Sequence, residues 1–239
     1  MESPCARVLS RLLACLAFVA CALVASRAFP QPVAAGRAPF WEERFERSDL
    51  AALGWADPSK HGASALSRVY AIGHDGGHSF LHARHDATTR PSPPAMHLGT
   101  PFPGGTAALE KVLRLTWRWR VTRHPAIRAD PWEDVAASVY VIMKTPGLLA
   151  SGKGLKLGWL ARPASGAVPR QRGIVQVELR HDAAGGEWVN ESVDICDLFR
   201  RAYGPCEGER VLYVGVMTDA DGTRSVAEAD YADFALLTR

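Results

Sequence analysis

The sequence predicts an all-β fold in which two antiparallel sheets pack as a jelly-roll-like sandwich with one or two short helices. Two observations support this prediction. Several short runs alternate apolar with polar residues, as strands with one buried face do. Gly- and Pro-rich turns separate these runs, and the chain shows no alternation of strands with helices, no internal repeat and no heptad pattern. Many strands with few helices are typical of sandwiches.

The clearest strand is predicted over Leu113–Val121, where Leu, Trp and Val alternate with Arg and Thr. The run Val175–Arg180 alternates in the same way. The runs Ser138–Met143 and Val211–Met217 are apolar at nearly every position, which is typical of inner strands covered on both faces. Shorter strands are predicted at Arg68–Ile72, Ser79–Arg84, Leu155–Leu160 and Tyr231–Leu237. The turn sequence His74-Asp75-Gly76-Gly77 predicts a hairpin between the first two of these.

One helix is predicted directly before the last strands. Asp194 is a suitable N-cap, and an apolar stripe follows at helical spacing over Ile195–Ala202. Gly204-Pro205 is expected to end the helix, because proline cannot continue it.

The first 28 residues have the pattern of a secretory signal peptide. Arg7 and Arg11 precede the apolar run Leu12–Ala25, and small residues occupy the expected cleavage site. An apolar run of this length rises about 21 Å as a helix, which is too short for a bilayer core. We therefore expect a signal peptide over 1–28, a linker over 29–40, a β-sandwich domain over 41–239, and a periplasmic or extracellular location. A retained membrane anchor and lipid attachment at Cys21 are the weaker alternatives.

The charge of the chain limits its partners. The whole sequence has a formal charge of +3, and removal of the leader, which carries three Arg and one Glu, leaves about +1. A general binder of nucleic acid or of anionic membranes needs more positive charge. We expect no nucleic acid partner and no membrane span after cleavage.

Two cysteines, Cys196 and Cys206, remain after the leader is removed. An even pair in an exported protein favours a disulfide. The helix advances about 10 Å between Cys196 and Tyr203, whereas bridged Cα atoms lie within about 7 Å. A disulfide therefore requires the chain to double back after the helix, and two free thiols are the alternative.

Several of these elements resemble the bacterial domain of unknown function 3047 family, over about residues 41–237. The matching elements are Leu115–Val121, Asp130, Glu133-Asp134, Val139–Val141, the helix at Asp197–Tyr203, Gly215–Thr223 and Ala229–Phe234. The family usually has two Asp where this chain has Glu133-Asp134, and Asn where it has Gly222. The resemblance implies an exported β-domain and no known activity.

The chain also resembles, more loosely, carbohydrate-binding jelly rolls of the galactose-binding type. These modules often begin with a Phe-Glu strand and end on a strand that contains Asp, which correspond here to Phe45-Glu46 and Asp233-Phe234. The resemblance implies a structural calcium ion between Glu46 and Asp233. An ion pair at the sheet edge is the alternative.

Two further groups of residues have metal-binding character. Asp219 and Asp221 lie in a predicted loop beside Gly222, and calcium prefers such oxygen ligands. A hydrogen-bonded turn explains the same residues. His74, His78 and His82 are spaced by four residues and His85 follows after three, which on a helix would place them on one face, as in zinc sites. Gly76-Gly77 disfavours a helix, so solvated turn histidines are the preferred interpretation.

Tryptophan and acidic residues are the candidates for ligand binding. Aromatic faces suit the apolar faces of sugars, and Trp132 is the favoured platform among Trp41, Trp55, Trp132, Trp159 and Trp188. Asp130, Glu133, Asp134, Asp219 and Asp221 are the candidate polar ligands. The basic stripe Arg114, Arg118 and Arg120 suits an acidic polysaccharide, although a solvated face paired with neighbouring acids is the preferred interpretation.

The sequence favours binding over catalysis. It contains no Gly-x-Ser-x-Gly elbow, phosphate loop or dinucleotide fingerprint. The leading hypothesis is a non-catalytic module that binds a polysaccharide. A polysaccharide-acting hydrolase or lyase with paired carboxylates, or a structural envelope protein that binds another protein, are the alternatives.

Overall fold

The computed structural model describes residues 38–238 except 104, 128–129, 131, 148–149 and 165–168, and excludes the side chain of residue 113. The predicted signal peptide, Cys21 and most of the predicted linker lie outside the described residues. None of the helices within the described part of the chain has the length and apolar character needed to cross a bilayer.

Strands account for most of the described secondary structure. In the first half of the chain they are β1 (Trp41–Glu43), β2 (Tyr70–Asp75), β3 (His78–Asp86), β4 (Leu98–Pro101), β5 (Ala107–Ala108), β6 (Val112–Arg123) and β7 (Ala137–Lys144). In the second half they are β8 (Lys153–Leu160), β9 (Arg170–Gln171), β10 (Ile174–His181), β11 (Val189–Val193), β12 (Arg210–Val211), β13 (Tyr213–Met217) and β14 (Val226–Thr238). The helices are α1 (Ala63–Leu66) and α2 (Ile195–Tyr203), with a 3₁₀ turn at Leu109–Lys111.

Two six-stranded sheets form the sandwich that the alternation predicts. In the first sheet the order is β11-β6-β14-β3-β2, and β1 also pairs with β14. In the second sheet the order is β4-β13-β7-β8-β10-β9, while β5 and β12 form a separate two-stranded ribbon. The predicted hairpin is confirmed, since β2 and β3 pair in antiparallel register around Gly76-Gly77.

The core lies between the inner faces of the two sheets. On β6, Leu115, Trp117, Trp119 and Val121 are all at most 1% exposed, which confirms the predicted apolar face. The arginines between them point to the other face of the sheet, where Arg118 pairs with Asp233 at 2.6 Å and Arg120 with Asp230 at 2.6 Å. Two residues of the basic stripe, Arg118 and Arg120, are thus paired with neighbouring acids, whereas Arg114 donates to Ser192.

The second sheet departs from the predicted antiparallel arrangement in one place. Strands β8 and β10, which are consecutive in the sheet order, run parallel. Parallel strands cannot be joined by a tight hairpin turn and require a longer connection.

The predicted strand Val211–Met217 is divided into two. At Leu212 the backbone N–H donates to Ile142 O at 2.7 Å. As a result Val211 pairs with the short strand β5, whereas Tyr213–Met217 pairs with both β4 and β7. Apolar composition alone does not reveal this change of partner.

The expected Phe-Glu strand is wrong by a few residues. The first strand is Trp41–Glu43, and it pairs Glu43 with Phe234. Phe45 has a φ of 56°, which takes it out of extended conformation, and it is fully buried. Its N–H donates to Glu43 Oε1 at 2.6 Å. The local turn therefore ends the strand before Glu46.

Helix α2 begins at the predicted cap and ends at the predicted glycine. Asp194 accepts a hydrogen bond from the N–H of Asp197 at 2.9 Å, and the backbone reverses at Gly204, where φ is 97°. This reversal brings Cys206 back to the start of the helix, with 5.7 Å between the Cα atoms of Cys196 and Cys206, and a disulfide joins them.

Candidate functional site

A groove lies beside β10 in the second sheet. Its volume is about 500 Å³, within the range of pockets that bind small ligands. Its apolar wall includes Trp132, Val175, Val177, Leu198 and Ala202. Its polar residues are Arg170, Gln176, Glu178 and Arg201. The groove thus combines an aromatic surface with several hydrogen-bonding side chains.

The favoured tryptophan of the sequence, Trp132, is held firmly in the wall of this groove. It is 7% exposed and packs against Val135 and Leu160 in a small apolar cluster. Its ring lies on Gly158, where a Cβ would be 3.1 Å from Cζ3 of the indole. The N–H of Trp132 donates to Asp130 Oδ1 at 2.8 Å. Trp132 therefore offers a fixed edge to the groove rather than the exposed platform that the sequence predicts.

The other candidate tryptophans lie elsewhere. Trp41, Trp55 and Trp159 are at most 7% exposed and belong to the main core. Trp188 is half-buried on the outer face of the first sheet, where the guanidinium groups of Arg118 and Arg120 lie 5.1 and 4.7 Å from its ring centroid. The arginines thus occupy a face of Trp188 that a sugar would otherwise need.

A row of side chains crosses the second sheet on the face turned away from the core. Gln176 on β10 pairs with Lys156 on β8, Lys156 pairs with Tyr140 on β7, and Tyr140 pairs with Gly215 on β13. We call these four residues the outer row. Alternate residues such as Val139 and Leu155 face the core, so the outer row projects from the opposite face.

Gln176 is the member of the outer row that lines the groove. Its side chain is 5% exposed, and its Oε1 has no hydrogen-bond partner among the described residues. Buried polar atoms are nearly always paired, since an unpaired one costs about 1–3 kcal/mol. Because this oxygen is enclosed by protein, it can accept a hydrogen bond from a ligand only when the Gln176 side chain turns into the groove.

Lys156 lies next to Gln176 and is 6% exposed. Its Nζ is 3.5 Å from Trp132 O. Burial lowers the pKa of Lys156 to about 8, although the charges of Asp219, Asp134 and Asp130 oppose this shift. The side chain is therefore still protonated at pH 7 and places a positive charge behind the groove wall.

The charged side chains of the groove each make hydrogen bonds or an ion pair within the protein, but the two arginines keep donors free for other partners. Glu178 accepts a hydrogen bond from the N–H of Ala164 at 2.7 Å and also contacts the ring of His181. Arg170 donates to Ala202 O at 2.8 Å. Arg201 pairs with Asp197 on the surface of α2. Both arginines retain further N–H groups, since a guanidinium has five.

Three of the predicted acidic ligands meet in a second cluster. Carboxylate oxygens of Asp134, Asp219 and Asp221 lie within 4.8 Å of one another. The two oxygens of Asp134 accept the N–H groups of Gly222 at 3.1 Å and Thr223 at 2.6 Å. These bonds tie the loop before β7 to the loop before β14, so the cluster has a structural role as a hydrogen-bonded turn.

The chemistry of this acidic cluster follows from its crowding. Burial raises the pKa of Asp221, and the neighbouring charges of Asp219 and Asp134 raise it further. Three such carboxylates could hold a calcium ion. Glu133 lies beside the same turn, because a Cβ on Gly222 would be 3.1 Å from its Cγ. Asp130 and Asp134 also line a small cavity of about 20 Å³, separate from the groove.

Among the described residues, the other predicted metal ligands do not form such a group. Asp233 pairs with Arg118, and Glu46 is exposed beyond the end of β1. His82 Nδ1 lies 2.7 Å from Asp230 Oδ1, and His85 Nδ1 lies 3.2 Å from Asp219 Oδ1. His85 is fully buried rather than a solvated turn residue, because β3 extends beyond it to Asp86.

The sequence did not indicate Lys156, Arg170, Gln176, Glu178 or Arg201 as site residues. A signal was present for two of them. Lys156 interrupts an otherwise apolar strand, and Gln176 occupies the polar side of an alternating strand. The groove also requires α2 to pack beside β10, which is a contact between segments distant in sequence.

Solved structures with a similar fold have low sequence identity to this chain. Endoglucanase 3 from family GH12 of Trichoderma harzianum is 8% identical with a TM-score of 0.42, covering 71% of this chain and 83% of its own. An endoglucanase from Rhodothermus marinus is 13% identical with a TM-score of 0.40, and the similarity covers 71% of this chain and 85% of the endoglucanase. A cleaved adhesin domain of Lys-gingipain from Porphyromonas gingivalis is 11% identical with a TM-score of 0.38, and the similarity covers 83% of this chain and 98% of the adhesin domain.

A comparison with curated proteins finds no matching sequence. The family described as "Protein of unknown function (DUF3047)" matches residues 55–235. The match contains both sheets except β1 and the end of β14, and it includes the groove and the acidic cluster. The chain therefore belongs to the DUF3047 family.

Proposed function

We propose that this protein is an exported, non-catalytic module that binds a carbohydrate chain in the groove beside β10. The observation that carries the proposal is a groove of about 500 Å³ in which Trp132 lies beside the polar side chains of Gln176, Glu178, Arg170 and Arg201. Sugars present hydroxyl donors next to apolar C–H faces, and the groove offers an acceptor next to an indole. The pattern of residues 1–28 and the disulfide between Cys196 and Cys206 support export, because disulfides persist in oxidising compartments.

The acidic cluster favours binding over hydrolysis. A glycosidase needs two carboxylates on either side of the scissile bond. In this protein both oxygens of Asp134 accept backbone N–H groups, and Asp219 accepts the N–H of Asp221 at 3.1 Å. These carboxylates stabilise a turn. A hydrolase remains the second candidate because of the raised pKa of Asp221, which suits a general acid.

Replacing Gln176 by methionine is expected to weaken glycan binding about tenfold, which corresponds to the loss of one hydrogen bond. The free energy of unfolding should stay unchanged or rise, because the substitution removes an unpaired buried amide and keeps its length. The full-length gene should be expressed, and the protein purified in the form that the cell produces. A glycan array identifies the ligand, and titration calorimetry measures its affinity.

Gln171→Met is the matched control for this experiment, because Gln171 is exposed on β9 and does not line the groove. It should leave affinity unchanged. The proposal is wrong if no glycan binds, or if Gln176→Met binds as tightly as the wild type. Shortened oligosaccharides in the same mixtures would instead identify a hydrolase.

Replacing Trp132 by phenylalanine is expected to weaken binding of the same glycan about threefold to tenfold, since the smaller ring offers less contact area. Because Trp132 also packs against Val135 and Leu160, the thermal midpoint should be recorded for each variant at the same time. Trp188→Phe serves as the control on the other sheet. Equal affinity of the Trp132 variant and the wild type, with both folded, would remove Trp132 from the binding surface.

A further inference from the structure

We infer that the carbohydrate in the groove is an acidic polysaccharide, whose sugar carboxylates contact Arg170 and Arg201. This inference rests on the proposed function and specifies its ligand class. Three observations support it: the charged residues that line the groove, the hydrogen bonds and ion pairs that these residues make within the protein, and the ion pairs of Arg118 and Arg120 on the first sheet.

The balance of charge in the groove is positive. Its charged lining residues are Arg170, Arg201 and Glu178. The carboxylate of Glu178 is engaged by the N–H of Ala164 and by His181, which reduces its effect on a ligand. Lys156 lies behind the wall, next to Gln176 in the outer row, but the charges of Asp219, Asp134 and Asp130 act on it, so the balance rests on Arg170 and Arg201.

Arg170 is held in an orientation that suits a carboxylate. Its guanidinium carbon lies 4.6 Å from the ring centroid of Tyr203, and one amino group donates to Ala202 O at 2.8 Å. The stacking and the single hydrogen bond fix the plane of the guanidinium. A fixed planar donor pair is what binds a carboxylate with two parallel hydrogen bonds.

Arg201 is a second cation on the same wall, on helix α2. Its partner Asp197 precedes it by one helical turn, and the side chains of Arg201 and Asp197 are 72% and 47% exposed. Exposed pairs of this kind contribute little to stability and exchange partners readily. Arg201 is therefore available to a ligand carboxylate without loss of a buried interaction.

Arg118 and Arg120 of the first sheet do not offer a comparable site. Arg118 pairs with Asp233, and Arg120 contacts both Asp230 and Asp75. Asp230 is buried, so its pair with Arg120 is not freely exchanged. The groove, in contrast, is a cavity of ligand size that both Arg170 and Arg201 line.

The test compares matched ligands that differ only in charge. Polygalacturonate and alginate should each be measured against their carboxyl-reduced, neutral derivatives, by calorimetry at 50 and 200 mM NaCl. We expect at least one acidic polymer to bind about tenfold more tightly than its neutral form, and its affinity to fall at higher salt. Arg170→Gln combined with Arg201→Gln should remove this preference and leave the affinity for the neutral form within twofold.

Arg114→Gln is the control, because Arg114 is exposed on β6 and donates to Ser192 rather than lining the groove. It should keep the preference for the acidic polymer. Neutral glycans that bind as well as the acidic polymers would overturn the inference and leave the proposed function intact. Failure of every glycan to bind would overturn both.

Discussion

Replacing Trp119 by alanine is expected to lower the free energy of unfolding by about 4 kcal/mol, the usual range for a buried tryptophan. Trp119 is fully buried on β6. Its ring lies 5.6 Å from Trp159 of the other sheet and 5.3 Å from Trp117, and its Nε1 donates to Glu191 at 3.1 Å. The substitution therefore leaves a cavity between the sheets and removes a hydrogen bond at the same time.

Trp188→Ala is the matched control for this prediction. Trp188 is half-buried on the outer face of the first sheet, and its contacts with Arg118 and Arg120 are cation–π interactions worth about 1 kcal/mol. Urea denaturation followed by circular dichroism measures both variants. Similar losses for the two variants would contradict the assignment of Trp119 to the contact between the sheets.

Acidification from pH 6.5 to 4 is expected to cost the fold about 3 kcal/mol through His97 alone. Burial lowers the pKa of His97 from 6.5 to about 4. The native state therefore binds fewer protons than the unfolded state in this window, so stability is complete above pH 6.5 and falls as the pH decreases. A shift of this size corresponds to about 3 kcal/mol.

The surroundings of His97 explain this shift. Its ring lies 4.4 Å from that of Tyr140 and 5.5 Å from that of Tyr213, and its Nε2 has no hydrogen-bond partner among the described residues. The charge of Asp57 raises the pKa slightly, and that of Lys156 lowers it. Among the described residues, the charge of Asp57 only partly offsets the cost of burying a charged imidazolium.

His97→Phe should remove this part of the pH dependence, because phenylalanine keeps an aromatic ring but does not titrate. The free energy of unfolding of both proteins should be measured by urea titration between pH 4 and 7. The ring of His97 lies directly over Gly215. His97→Leu therefore provides a second variant if the larger ring of phenylalanine does not fit there. The pKa of His124 is also lowered and that of His82 is raised, so both histidines contribute to the pH dependence of stability. The difference between wild type and variant removes their contributions and isolates that of His97. Equal slopes for the wild type and both variants would contradict the prediction.

Local patterns predicted those elements that depend on the nearest neighbours in sequence. The alternation over Leu113–Val121 predicted both the strand and its buried face, because neighbouring side chains in a strand must point to opposite sides. Asp194 and Gly204-Pro205 predicted the ends of α2, because capping and helix termination involve residues within one turn.

Long-range pairing was not predictable in this way. The parallel pairing of β8 with β10 and the division of Val211–Met217 depend on which strand lies alongside. The same limit applies to the candidate site. Trp132 was selected as an aromatic residue in a polar loop, but its ring packs on Gly158 of β8, where a Cβ would be 3.1 Å from Cζ3.

The sequence by itself determined the class of fold, the face of each regular strand that is buried, the limits of α2, and the membership of the DUF3047 family. The tertiary structure selected between the alternatives that the sequence left open, since it pairs Arg118 and Arg120 with acids and places the acidic residues in a hydrogen-bonded turn. It alone decided that a groove forms between β10 and α2. The physical reason is that side-chain alternation and capping act over a few residues, whereas burial, pairing of charges and cavities depend on segments that meet only when the two sheets pack.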